Sequence, residues 1–363
     1  MGEGVSRTSR KLVGVQYLRA LAAIMVVYFH ATLRIPEYTS FLQVRSWALD
    51  VSRLGINGVH IFFVMSGFIM MATARRSTPS QFLSRRLARI IPLYWLLTTL
   101  WAALIFLPPH FAANNPLSVS YYLQSLLFIY YIAPNGALGP LLRPGWSLDV
   151  EMFFYAIFAC ALFAPHRWRL PIVCAVLTSA AVIGTYLTQD APELWLITRP
   201  YVLEFCIGMA IVQFTSRLTL GRPICVALVV AGFATLIGGW ADTDNPFLRY
   251  ILPSSAVVLG VVVYEQRFGL PALRLPTLLG DASYSLYLSH TFALGAAGLF
   301  WKRVGLHSPG AFMLIAIAAC ILLALAVYQW LEQPLLSWLA LRPVRDCRPG
   351  VSALPGSLPP VAE

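Results

Sequence analysis

Two residues that hydrocarbon tolerates poorly share one oily run: Arg19 and His30 in YLRALAAIMVVYFHATL, Tyr17 to Leu33. An ionisable side chain inside a membrane helix costs roughly 2.5–3.5 kcal/mol even on lenient scales, so one that persists marks a cavity, a pathway or a reaction site. Eleven positions of α-helix are about three turns, which leaves about 20° between the two side chains and a rise of about 16 Å. They therefore lie on one helix face, the spacing a continuous site through the membrane needs. The alternative is that each snorkels to its own headgroup layer.

Other ionisable residues occur at related depths. His60 falls in the outer half of a second apolar run, INGVHIFFVMSGFIM, and Glu151 in the first turns of RPGWSLDVEMFFY. His290, in GDASYSLYLSH, falls at mid-membrane or slightly outward. Ser147 and Glu151, at i and i+4, share a face that Asp149 does not. Together His30, His60, Glu151 and His290 predict a polar chamber in the outer half. An imidazole beside a carboxylate is the equipment of general-base catalysis, because the carboxylate fixes the tautomer and stabilises the imidazolium. Which carboxylate meets His30 is open at this point.

The inner side carries a different chemistry. FLSRRLARIIPLYW sets Arg85, Arg86 and Arg89 just before a third apolar run, with Pro92 in its first turn. Guanidinium groups offer phosphate bidentate contacts, and Arg19 adds a buried cation from the same side. The plainer explanation is an ordinary cytoplasmic basic cluster. Arg199 and Glu204 are expected to pair with each other or with another helix, and Glu332 to cap or face solvent at the inner end of the last helix. No Cys/His spacing suits a metal. The six cysteines are expected to act as small apolar residues, five of them inside apolar runs. Walker, dinucleotide and Gly-x-Ser-x-Gly motifs are absent from the sequence.

The elements that must hold these residues are membrane helices. The 363-residue chain is 58% hydrophobic and 11% charged, against about 45–50% and about 25% in soluble domains. Ten apolar segments, each near the 20 residues that cross a bilayer, lie at about 12–33, 54–74, 90–109, 145–164, 170–189, 194–215, 223–240, 248–265, 277–300 and 311–338. The aromatic-rich stretch 117–133 reads as interfacial or re-entrant. The net charge of +11 comes as short clusters between apolar runs, which argues for membrane topology and against nucleic acid. Ten helices with both termini cytoplasmic put seventeen basic residues inside and eight outside, as the positive-inside rule requires. The expected organisation is a short basic N-terminus (1–11), a single all-α polytopic bundle (12–340) and a disordered cytoplasmic tail (341–363). The first helix is expected to be retained rather than cleaved.

Taken together, LRALAAIMVVYFH, NGVHIFFVMSGFIM, RRLARIIPLYW, PGWSLDVEMFFY, GDASYSLYLSH and LEQP, in that order from first helix to last, resemble the acyltransferase 3 family of integral membrane acyltransferases. The likeness is greatest to its bacterial exopolysaccharide-production branch. The resemblance implies about ten helices in a bacterial inner membrane. It also implies transfer of an acyl group, usually acetyl from acetyl-CoA, to a carbohydrate hydroxyl on an exopolysaccharide or lipid-linked glycan. It matches the family's Arg-x10-His pattern to Arg19 and His30, its arginine pattern to Arg86 and Arg89, and its Trp-Ser-Leu-x-x-Glu pattern to Trp146, Ser147, Leu148 and Glu151. Many members have Asp where this chain has His60, so that acid's role does not carry over.

These expectations make His30 a general base or acyl acceptor, with Glu151 and His60 beside it. Arg19, Arg86 and Arg89 hold the donor, and Trp146, Ser147 and His290 face the acceptor. No tightly bound cofactor is expected beyond acyl-CoA as donor substrate. A secondary transporter or flippase for a sugar is the alternative, since such proteins also bury Arg, His and Glu, although no inverted repeat is visible. A structural subunit of an export complex is a third, and it leaves the polar chamber unexplained.

Overall fold

The computed structural model describes residues 12–38, 55, 57–75, 77–105, 118–133, 136, 138–238, 245–305 and 308–339. The terminal segments predicted as basic N-terminus and disordered tail lie outside these residues. Among the described residues there is no β-strand, only an isolated bridge between Ile132 and Leu138. Five helical stretches are long and apolar enough to cross a bilayer: Val13–Ile35, Pro79–Leu104, His166–Gly184, Phe247–Phe268 and Pro309–Leu339. Shorter apolar helices lie at Gly58–Thr73, Pro200–Phe214 and Arg222–Gly238.

In chain order, the helices among the described residues include α1 (Val13–Tyr38), α2 (Gly58–Thr73), α3 (Pro79–Ile105), α4 (Val119–Leu126) and α5 (Trp146–Ala161). They are followed by α6 (His166–Gly184), α7 (Pro192–Ile197), α8 (Leu203–Phe214), α9 (Arg222–Gly238) and α10 (Leu252–Phe268), then α11 (Arg274–Asp281), α12 (Ser283–Val304), α13 (Pro309–Val327) and α14 (Gln333–Leu339). α1 is central, packing against α2, α10, α11, α12 and α13. Its first turn has backbone N–H groups with no intrahelical acceptor. The Glu265 carboxylate of α10 accepts two of them, Val13 at 2.6 Å and Gly14 at 2.7 Å, placing negative charge at the positive end of the helix.

In lipid, apolar burial does not drive helices together, so close backbone approach and packing must. α2 and α8 show how. A Cβ on Gly67 would strike the Phe205 carbonyl, and one on Gly208 the Val64 carbonyl. The two glycines thus let the helices meet backbone to backbone.

Several boundaries differ from the sequence expectation. α3 starts eleven residues before the predicted 90, so Arg85, Arg86 and Arg89 lie on its early turns and Pro92 is inside the helix. Pro79 and the polar residues after it had concealed this start. The predicted span 194–215 is broken into α7, a turn at Pro200–Val202 and α8, because Pro200 has no N–H with which to continue the ladder. In 117–133, α4 has only eight residues. Its rise of about 12 Å is well short of a bilayer core of about 30 Å. Of the five cysteines described, Cys206, Cys225 and Cys320 are buried, whereas Cys160 is exposed.

Candidate active site

α1, α2, α3, α5 and α12 enclose a cavity of about 810 Å³, counting the space at its mouth. Arg19, Arg86 and Arg89 line one end, with Glu151, Ser66 and Tyr155 beside them. Ser147 and Tyr287 line it further along. Ser66 shares an α2 face with Val59, Phe62, Phe63 and Met70, which also line the cavity, and Glu151 follows Ser147 by one turn of α5.

At the arginine end, Oε1 of Glu151 accepts from Ser66 Oγ at 2.5 Å and from Tyr155 Oη at 2.6 Å. Arg86 donates to Thr73 Oγ1 at 3.1 Å and lies over the Phe82 ring. Arg19 and Arg89 have no hydrogen-bond partner among the described residues. Glu332 was expected at a solvent-facing or capping position. It is instead buried and accepts from Ser285 Oγ at 2.5 Å. A π-helical turn at Tyr328–Glu332 supplies the register shift that turns this carboxylate inward. The three guanidinium groups share this end with the carboxylates of Glu332, Asp281 and Glu151, and Arg19 and Arg89 offer donors that no hydrogen bond among the described residues uses. That donor set suits a phosphate-bearing ligand.

At the other end the Tyr287 and Ser147 hydroxyls lie 2.7 Å apart and both reach the Pro144 carbonyl, Tyr287 Oη at 2.9 Å and Ser147 Oγ at 3.3 Å. The Tyr287 ring lies 6.2 Å from that of His290, and His290 lies 4.8 Å from His30. Each imidazole is fixed by its own helix: His30 Nδ1 contacts the Val26 carbonyl at 2.9 Å and His290 Nδ1 the Leu286 carbonyl at 3.2 Å. A carbonyl only accepts, so Nδ1 carries the proton in both rings. In the neutral rings each Nε2 is then a lone-pair acceptor. His290 is fully buried and its Nε2 has no partner; His30, half-buried, is the ring that other groups can reach.

The predicted single chamber is thus three neighbouring groups. Glu151 joins the arginines rather than His30, because its position on α5 is one turn beyond Ser147, toward Arg86. Among the described residues His30 has an imidazole for a neighbour, not a carboxylate. His60, expected beside it, does not line the cavity. Its Nδ1 lies 2.9 Å from Oε1 of Glu204, and its ring stacks on Tyr250 at 3.9 Å. Val59, Phe62, Phe63 and Ser66 turn the other α2 face toward the cavity, so His60 points to α8. Arg199 does not pair with Glu204. It donates to the Trp195 carbonyl at 3.0 Å and to that of Gly184, and covers the Trp195 ring. Trp146 stands outside the cavity in an aromatic group with Phe63 and Tyr201. Asp149 is buried with neither oxygen hydrogen-bonded. No group of three or more His, Cys, Asp or Glu side chains suited to a metal occurs among the described residues.

Sequence reasoning missed Ser66, Tyr155, Tyr287 and the Glu204 partner of His60. Tyr287 had a signal, three residues before His290 and hence on its face. The others meet their partners only through contacts between distant segments.

The Acyltransferase domain model of the Acyl_transf_3 family matches residues 12–329. The chain is 40% identical over 293 residues to the exopolysaccharide production protein ExoZ of Rhizobium meliloti, covering 78% of this chain and 90% of that protein. It is 30% identical over 327 residues to the peptidoglycan O-acetyltransferase OatA of Listeria monocytogenes, covering 78% of this chain and 50% of that longer protein. No solved structure matches. With several membrane-type helices enclosing this cavity and the family model spanning nearly all of them, the chain belongs to the acyltransferase 3 family: it is a multi-pass membrane acyltransferase.

Proposed function

We propose that the protein transfers an acyl group, acetyl first among those to test, from acyl-CoA to a hydroxyl of a carbohydrate on an exopolysaccharide or lipid-linked glycan precursor. One observation carries this reading. A single cavity joins three arginines to the Ser147–Tyr287 pair, which adjoins His290 and His30. In the proposed topology ten segments cross a bacterial inner membrane with both termini cytoplasmic, so the arginine end faces the donor and the histidine end the acceptor.

Arg86, Arg89 and Arg19 hold the phosphates of the donor. The rise of about 16 Å from Arg19 to His30 is comparable to the reach of an extended pantetheine arm, which brings the thioester toward Tyr287. Nε2 of His30 takes the proton of the acceptor hydroxyl as its oxygen attacks the thioester carbonyl. The C–S bond breaks, the proton passes to the thiolate, and the products are an ester and free CoA thiol. In the variant of this route His30 Nε2 itself attacks and carries the acyl group before handing it on. The names of ExoZ and OatA support a glycan acceptor.

The test uses protein in lipid, labelled acetyl-CoA and an extract of lipid-linked glycans. Wild type is expected to place label on glycan, and a folded His30→Ala variant to place none. Normal transfer by that variant would remove His30 from the chemistry. Glycan that is moved across the bilayer but unlabelled would point to transport.

A further inference from the structure

When the acceptor oxygen adds to the thioester carbonyl, negative charge develops on the carbonyl oxygen, and a buried site must aim a donor at it. The hydroxyls that line the cavity are few. At the arginine end Ser66 and Tyr155 donate to Glu151, and Tyr284 donates to the Ile90 carbonyl at 2.7 Å. Ser283 stands one helical turn before Tyr287, on the side away from His290. Ser147 and Tyr287 both line the cavity, and the Tyr287 ring adjoins that of His290. Their buried oxygens lie 2.7 Å apart and share one fixed acceptor, the Pro144 carbonyl, at 2.9 Å from Tyr287 and 3.3 Å from Ser147. Two protons thus serve a carbonyl that one can satisfy. With Ser147 on the Pro144 carbonyl, Tyr287 can turn its proton to a ligand and no buried group of this cluster loses its partner. Pro144 belongs to the short turn Arg143–Gly145 that leads into α5, and Tyr287 precedes His290 by three residues on α12. The backbones of two segments therefore hold the hydroxyl pair beside the imidazoles.

We infer that Tyr287 is the oxyanion donor of the transfer reaction and that Ser147 is its positioning residue, taking over the Pro144 carbonyl as Tyr287 turns to the substrate. The inference rests on the acyltransfer reading above and adds a catalytic residue to it. As Nε2 of His30 takes the proton of the acceptor hydroxyl, the new C–O bond forms and the carbonyl π pair moves onto oxygen, where the Tyr287 O–H meets it. On collapse the C=O bond re-forms, the C–S bond breaks and the thiolate receives the proton from His30. Tyr287 keeps its own proton throughout.

The experiment uses the full-length protein in lipid nanodiscs, labelled acetyl-CoA and a dilution series of the lipid-linked glycan extract. It reads kcat and KM, and separately the infrared carbonyl band of bound acetyl-CoA carrying carbon-13 at the carbonyl, with no acceptor present. Tyr287→Phe keeps the ring and should lower kcat about 10²-fold, the usual loss of one oxyanion donor. Both KM values should stay in place, and the carbonyl band should move to higher frequency as its donor is lost. Ser147→Ala should lower kcat about ten-fold, since Tyr287 then divides its proton between the Pro144 carbonyl and the oxyanion. Ser147→Thr keeps the hydroxyl and should recover that loss. The double variant should be no slower than Tyr287→Phe alone, because the two hydroxyls act as one unit. Wild-type kcat in folded Tyr287→Phe would overturn the inference and leave acyltransfer standing. So would a raised donor KM at unchanged kcat, or a carbonyl band that Tyr287→Phe does not move. Should Tyr287→Phe lose the fold, equal kcat in Ser147→Ala and Ser147→Thr would overturn it instead. Wild type that labels no glycan would overturn the inference together with the reading beneath it.

Discussion

The rings of His30 and His290 lie 4.8 Å apart at 51°, each with Nδ1 directed at the carbonyl one helical turn earlier on its own helix. This arrangement fixes the tautomers from the backbone, a task that a carboxylate performs in many general-base sites. It leaves two neighbouring Nε2 lone pairs, one reachable and one sealed.

The pair predicts a difference between its members. His30→Ala should lower kcat by about 10²–10⁴-fold, the usual contribution of a general base. His290→Gln should lower kcat by roughly ten-fold and leave the donor KM in place, because it replaces the ring packed against His30 at 4.8 Å. Wild-type kcat in His290→Gln would reduce His290 to a packing role.

The arginine end predicts a binding defect. Arg86→Lys and Arg89→Lys keep the charge but lose the bidentate fork. Each should raise the donor KM by about ten-fold, near 1.4 kcal/mol, with little change in kcat at saturating donor. Kinetics against acetyl-CoA concentration check this. A kcat loss at unchanged KM would place these arginines in the chemical step.

The His60–Glu204 pair predicts a stability effect. Glu204 is fully buried, so removing only its partner, as in His60→Leu, should cost about 3–5 kcal/mol by leaving a carboxylate unpaired. His60→Leu/Glu204→Met removes both charges and should recover much of that loss. Thermal unfolding in detergent reads both. If His60→Leu unfolds at the wild-type temperature, the contact does not support the bundle. Glycan labelling by a folded double variant would confirm that this pair stands apart from acyl transfer.

Membrane character and the acyltransferase family were legible in the sequence because hydropathy and motif order are local, additive properties of the chain. The placement of Arg19 and His30 on one face was legible too, since helical periodicity alone sets the angle between them. Arg86 with Arg89, and Ser147 with Glu151, each share a helix face for the same reason, being three and four positions apart on one helix; that both pairs line one cavity came from packing.

Which residues meet across helices was decided by tertiary packing alone. Glu151 went to the arginines, with Ser66 and Tyr155 as donors, whereas His30 received His290 and His60 received Glu204. Depth estimates place these side chains in layers, yet they carry no information about rotation of one helix against its neighbour. That rotation is fixed by close contacts such as Gly67 on Phe205 and Gly208 on Val64, and by breaks and register shifts such as those at Pro200 and Tyr328–Glu332. Because a turn of about 100° separates adjacent positions, a small rotation sends a side chain to a different partner. The sequence by itself determined the chemical groups and their order along each helix; the fold chose their pairs.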